Sequence, residues 1–107
     1  MTFRVVISPE AEDDIVDIFG YVAENDSIAN AQRLVMKLQQ ACSGLADFPA
    51  RGNKPKELLD LGIEDFREAH LGPYRIVYSV GGRNVVVHCV IDGRRHMQML
   101  LRRRLLS

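Results

Sequence analysis

Residues 74–93 read Tyr-Arg-Ile-Val-Tyr-Ser-Val-Gly-Gly-Arg-Asn-Val-Val-Val-His-Cys-Val-Ile-Asp-Gly. Two runs rich in β-branched and aromatic residues, Tyr74–Val80 and Asn84–Ile91, flank Gly81-Gly82-Arg83. Such runs joined by a glycine pair read as a β-hairpin. Period-two alternation puts Tyr74, Ile76, Tyr78 and Val80 on one face of the first strand, and Val85, Val87, Cys89 and Ile91 on one face of the second. Upstream, Gly72-Pro73 separates the hairpin from a third strand signal, Asp65–Leu71. Three consecutive strands with tight breaks make an antiparallel meander.

Working towards the N-terminus, residues 49–63 hold Pro49, Gly52, Pro55 and Gly62 and read as a loop, with a helical turn at Lys56–Leu61. Before it stand two amphipathic segments. Ser8 caps the first, Pro9 suits its first helical position, and Glu10, Glu12 and Asp13 complement its positive end. Ala11, Ile15, Ile18, Phe19 and Val22 follow at helical spacing for about 15 residues. Ser27 or Asp26 caps the second helix, whose stripe is Ala31, Leu34, Val35, Leu38, Ala41, Cys42 and Leu45; Asp47-Phe48-Pro49 ends it. The short link makes the two an antiparallel hairpin. Phe3–Ile7 is a strand, and the later part of Arg94–Leu106 a basic, leucine-bearing helix. The order β-α-α-β-β-β-α defines one domain over residues 1–107, an α+β two-layer fold with the helical hairpin on a mainly antiparallel sheet and a short C-terminal helix.

Hydrophobic residues make up 47% of the chain and charged residues 26%, which excludes a disordered or low-complexity protein. No apolar run approaches the ~20 residues of a membrane span, and no signal peptide is visible. Cys42 and Cys89 make neither a disulfide framework nor a metal-ligand spacing, so a cytoplasmic setting is expected. Charge is unevenly placed: residues 1–68 carry 13 acids and 7 bases, residues 69–107 one acid and 7 arginines. A net −6 thus precedes a net +6. Either the halves neutralise each other across the fold, or the arginines form a surface for an acidic protein or nucleic acid.

The second face of the predicted sheet carries Arg67, Ala69 and Leu71, then Arg75, Val77 and Ser79, then Val86, His88 and Val90. Valines interleaved with Arg and His would form an apolar patch if left in water. The C-terminal helix is too short to cover a whole sheet face, so a partner segment is the expected cover. No His pair has i,i+4 spacing, no Cys-x-x-Cys occurs, and no glycine-rich phosphate loop is present, so neither a metal nor a cofactor is expected. Cys42 lies in an apolar stripe and reads as an inert thiol. One ribonuclease-style arrangement is open to these residues, RNA cleavage through the 2′-hydroxyl with Arg75, Arg94 and Arg95 as cations and His88 or His96 carrying the proton, against packing or surface roles for the same histidines.

Ser8-Pro9-x-Ala11 opening an acidic helix, a second helix ending in Phe48-Pro49, Arg51-Gly52, Arg67-Glu68, Tyr74-Arg75-Ile76-Val77-Tyr78, and Val90-Ile91-Asp92-Gly93-Arg94-Arg95 together resemble the RelE/ParE superfamily of type II toxin–antitoxin toxins. The resemblance spans essentially the whole chain. RelE-type members cleave mRNA on the ribosome, whereas ParE-type members poison DNA gyrase. Measured against the RelE pattern, Arg75 and Arg95 or Arg94 match, but Phe66–His70 lacks the expected lysines and no tyrosine follows Tyr78. The resemblance therefore implies a ParE-like toxin, a gyrase inhibitor neutralised by a ParD-like antitoxin, with no catalytic residues; a RelE-like nuclease built on Arg75, Arg95 and His96 is the alternative. The resemblance and the valine–arginine face together imply an antitoxin arm over Arg67, Ala69, Arg75, Val77, His88 and Val90. The arginine-rich tail implies a toxic surface at Arg94, Arg95, Arg102, Arg103 and Arg104.

Overall fold

The computed structural model describes residues 2–106. Strand β1 (Arg4–Ile7) leads into α1 (Pro9–Asn25) and α2 (Ile28–Gly44). A 3-10 turn (Pro49–Arg51) and the single-turn helix α3 (Lys56–Leu59) follow, then β2 (Arg67–Leu71), β3 (Tyr74–Gly81), β4 (Asn84–Asp92) and α4 (Met97–Leu105). The predicted order holds, with the 3-10 turn as an unforeseen addition. Both caps act as read: the Ser8 hydroxyl accepts from the Ala11 N–H at 3.1 Å, and the Ser27 hydroxyl from the Asn30 N–H at 3.0 Å.

The sheet order is β1-β4-β3-β2, with β1 parallel to β4 and the remaining pairs antiparallel. Gly82 takes φ +59 in the β3–β4 turn, a left-handed conformation that suits glycine. One face of the sheet packs on the helical hairpin through Ile76, Tyr78, Val85, Val87 and Val90 against Ala11, Ile15, Leu38, Cys42 and Leu45.

The second face departs from simple alternation. Val77 pairs with Cys89 but Tyr78 pairs with Val87, so His88 is an extra residue in β4, a β-bulge. Beyond the bulge the side chains exchange faces. Val90 moves to the hairpin core, and Cys89 and Ile91 move to the other side, correcting the strict alternation over 85–91. Arg67 and Ala69 are corrected too. Directly paired residues share a face, and these two pair with Tyr78 and Ile76. They therefore lie on the hairpin side, where Ala69 packs against the core.

The cover of the second face is also corrected. Val77, Cys89 and Ile91 are buried beneath Leu58 of α3 and Met97 and Leu101 of α4. The chain's own C-terminal helix does what a partner segment was expected to do, with α3 supplying the area that one short helix lacks. Towards the β1 end of this face Val6 is exposed and Val86 half-buried.

The long loop is held by specific contacts. The Tyr78 hydroxyl donates to the Pro49 carbonyl in the interior, and Asn53 makes an isolated antiparallel bridge to Glu68. A Cβ on Gly52 would overlap the Tyr78 hydroxyl and lie 2.6 Å from the Glu68 carbonyl oxygen. Gly52→Ala should therefore destabilise the fold by about 1–3 kcal/mol, the usual cost of overpacking a tight site. Urea unfolding should show a lower midpoint with an unchanged slope; an unchanged midpoint would mean that the loop relaxes freely.

Candidate functional site

Two polar constructions stand out, one buried and one open. The buried one centres on Arg75. Its two terminal nitrogens meet the Glu57 carboxylate at 2.8 and 2.7 Å, and its Nε meets Glu68 at 2.5 Å. The Arg75 side chain is 13% exposed and that of Glu68 4%, so the pairing is largely desolvated. Asn53 donates to the other Glu68 oxygen at 2.9 Å. The bond to Arg75 holds the Glu57 carboxyl below its usual range, and Glu57 and Glu68 raise the guanidinium further. Gly93 is required here, since a Cβ at that position would come 2.8 Å from Arg75 Cδ. The Asp92-Gly93 pair thus leaves room for the arginine stem to pass.

His88 sits beside this layer. Its Nε2 is 2.7 Å from the Ser79 hydroxyl, and its ring stands edge-on to Phe66 with centroids 5.3 Å apart. Burial pulls its pKa below the ordinary imidazole value, opposed by Glu10. The His88 carbonyl, turned aside by the bulge, accepts from Arg104 at 3.1 Å. Arg104 also grips Asp14 of α1 with two bonds of 2.8 and 3.0 Å, and Asp14 accepts from the Val90 N–H at 2.9 Å. Burial pushes the Cys42 thiol up to about 11 and that of Cys89 to about 12, so both stay protonated.

The open construction is a groove of about 590 Å³ between α1 and α4. Asp14, Asp17, Ile18 and Tyr21 form one wall, at the i, i+3, i+4, i+7 spacing that aligns side chains on one helix face. Leu100, Arg103 and Arg104 form the other by the same rule. The strand ends supply Tyr74, Val90, Ile91 and Asp92, and the following turn adds Arg94 and Arg95. Arg94 binds Asp92 through Nε and its terminal nitrogen at 3.0 and 2.6 Å, which lowers the Asp92 pKa.

The sequence-predicted residues therefore scatter. Arg67 donates to the Gly52 carbonyl at 2.7 Å, Arg75 lies in the ion network, Val77 and Val90 are buried in different cores, and His88 is half-buried at the bulge. The six do not form one surface. Arg94, Arg95, Arg102 and Arg103 are exposed at the C-terminal end, whereas Arg104 is half-buried in its clasp with Asp14, correcting its place on the exposed surface. For the ribonuclease set, Arg95 lines the groove and Arg75 and His96 do not. The His96 Nδ1 accepts from the Met99 N–H at 3.4 Å as the cap of α4. Glu57, Glu68, Asp14 and Tyr21 were missed. The Asp14–Ile18–Tyr21 spacing was the one available signal, and it merges with the apolar stripe of the same helix.

Comparison with known proteins agrees with this architecture. Residues 5–97 match the sequence model described as "ParE toxin of type II toxin-antitoxin system, parDE". Toxin ParE3 of Caulobacter vibrioides is 24% identical over 94 residues, covering 88% of this chain and 90% of that protein. Among solved structures, the chromosomal ParDE toxin–antitoxin system of P. aeruginosa superposes with a TM-score of 0.73 at 15% identity, over 85% of this chain and 96% of that one. A chain of the RelBE2 toxin–antitoxin complex of Mycobacterium tuberculosis gives 0.63 at 21% identity, over 86% and 92%. The chain is a toxin of the RelE/ParE superfamily. Within it, the protein belongs to the ParE family of type II toxin–antitoxin systems.

Two measurements test the buried chemistry. Removing Arg75 strands two carboxylates, so Arg75→Met should cost about 3–5 kcal/mol by urea unfolding at pH 7, whereas the exposed turn change Arg83→Ala should stay within about 0.5 kcal/mol. His88 is held neutral in the fold, and the unfolded chain takes up the proton first as pH falls. Stability should therefore decline as pH drops below about 6.5, the ordinary imidazole value. A second decline should follow below about 4.5, as protonation removes the contribution of the depressed Glu57. His88→Gln should abolish the upper decline and keep the lower one; an unchanged upper slope would assign it elsewhere.

Proposed function

We propose that this ParE-family toxin inhibits DNA gyrase and is neutralised by a ParD-like antitoxin. The carrying observation is where the chain keeps its arginines. Arg75, the cation a RelE-like nuclease would need at the scissile phosphate, is committed to Glu57 and Glu68. Arg95, Arg102 and Arg103 are instead exposed at the end of the chain, as is Arg94, whose fork already holds Asp92. A guanidinium already held by two carboxylates has little capacity left for a phosphorane, whereas exposed forks suit acidic protein surface and phosphates. That distribution favours binding over cleavage. Family membership and the toxin–antitoxin complexes among the structural relatives support an antitoxin partner.

Toxicity should follow the exposed arginines and not Arg104. The combined change Arg95→Glu, Arg102→Glu and Arg103→Glu should lower supercoiling inhibition at least tenfold and relieve growth arrest, with the circular dichroism spectrum unchanged. Arg104 is kept because it braces α4. A folded triple variant with undiminished inhibition would sink the arginine surface. Growth arrest by mRNA cleavage, with supercoiling untouched, would establish the ribosome-dependent nuclease instead.

A further inference from the structure

The sheet has two edges, and they are finished differently. At the β2 edge the Glu68 N–H donates to the Asn53 carbonyl at 2.8 Å, so the loop before β2 covers it. Strand β1 forms the other edge. Its Arg4 N–H and the Ser8 N–H just beyond it donate to the Arg83 and Val87 carbonyls at 2.7 and 3.0 Å. Backbone direction alternates along a strand, so Arg4, Val6 and Ser8 bond inward, while Phe3, Val5 and Ile7 face out. The Phe3 N–H is taken by the Ala46 carbonyl at 2.8 Å, and Pro9 has none. Among the described residues, the outward donors left without a backbone partner on this strand are therefore those of Val5 and Ile7.

Apolar surface flanks these groups on both sides. Val6 is 40% exposed on the second face of the sheet. On the hairpin face, a depression of about 430 Å³ reaches Ile7 and is rimmed by Val16, Phe19 and Val35. The edge is also bipolar. Arg4 and Arg83 are exposed at its start, and Glu10 and Glu12 are exposed just past its end. We propose that a second copy of this chain pairs here, β1 against β1 and antiparallel, about a two-fold axis at Val6. In that register Val5 faces Ile7 of the other copy, and each such pair exchanges both bonds. Val6 meets Val6 in a non-hydrogen-bonded pair, with Cα atoms about 4.5 Å apart. Arg4 stands opposite Ser8 of the other copy, towards its Glu10, so the basic end meets the acidic end twice. The axis runs normal to the sheet, which places both helical hairpins on one side with depression facing depression. That contact is needed, because two four-residue strands alone fall far short of the ~800 Å² that each partner of a stable interface buries. The contact is isologous and closes at two copies. It stands independently of the gyrase reading.

Sedimentation equilibrium of the full-length chain should show a monomer–dimer equilibrium, with circular dichroism checking the fold of every variant. Arg4→Glu should weaken dimerisation at least tenfold, and Arg4→Glu combined with Glu10→Arg should return it to within threefold of wild type. Val6→Cys should give a disulfide-linked dimer under mild oxidation, because a close antiparallel pair meets the Cα spacing of a disulfide. The native Cys42 and Cys89 are buried and should not compete. Arg83→Cys, in the exposed turn, should stay monomeric on the same gel. A wild-type chain that sediments as a monomer at every concentration would overturn the proposal. So would a dimer that is indifferent to Arg4→Glu and leaves Val6→Cys uncrosslinked, since it would use another surface. If the chain alone were monomeric and strand addition at Val5 and Ile7 came instead from the protein encoded beside its gene, seen as protection of their amides from hydrogen exchange only in that complex, the edge would belong to that partner.

Discussion

One extra residue in β4 determines how this small domain closes. Without the bulge at His88, strict alternation would send Cys89 and Ile91 to the helical hairpin and leave Val90 on the opposite face. With it, Val85, Val87 and Val90 reach the hairpin, while Cys89 and Ile91 join Val77 to form a second apolar floor. That floor gives α4 and α3 something to pack on. The bulge also turns the His88 carbonyl out of the ladder, where Arg104 takes it up. A single insertion therefore creates both the second core and the acceptor that anchors the helix covering it. A bulge in a central strand is costly unless its freed groups find partners, and here they do.

The second dependency is ionic. Helix α3 has a single turn and little intrinsic stability of its own. Arg75 holds it to the sheet through Glu57 while binding Glu68 on the neighbouring strand. Such a network stabilises less than its bond count suggests, because three charges leave water to make it. Its value lies in geometry. It fixes α3 over Val77, and Gly93 lets the arginine stem pass towards the turn that starts α4. The arginine in the family-like Tyr-Arg-Ile-Val-Tyr strand thus ties α3 and β2 together in this chain.

Local signals carried most of the fold. Caps at Ser8 and Ser27, helical spacing in two segments and glycine-rich breaks between strands depend on neighbours in sequence, and they placed every main element. The failures are all long-range, and the first is one of parity. Face assignment propagates along a strand by parity, so one unseen bulge inverts everything beyond it. The same propagation misplaced Val90, and assigning β2 without its partner register misplaced Arg67 and Ala69. The ion network was illegible because Glu57 sits in a loop whose path depends on Tyr78 and Pro49, far from it in the chain. Arg104 was read as exposed because its acid, Asp14, lies 90 residues away.

These dependencies also shape the functional surface. The uneven charge of the sequence is partly cancelled inside the fold, where Asp14 takes Arg104 and Glu57 with Glu68 takes Arg75. Each pairing joins an acid of the first 68 residues to an arginine of the last 39, so internal neutralisation and a basic surface coexist. Arg94, Arg95 and Arg103 stay accessible along a groove whose rims are helical, and Arg102 is exposed on the same helix as Arg103. Arg104 braces α4 so that its neighbours are displayed on a fixed support. Losing that brace would blur the arginine positions without changing their charge. A surface meant to discriminate its partner gains more from such fixed geometry than from added charge, because long-range attraction is screened within about 8 Å at physiological salt and bidentate contact is not.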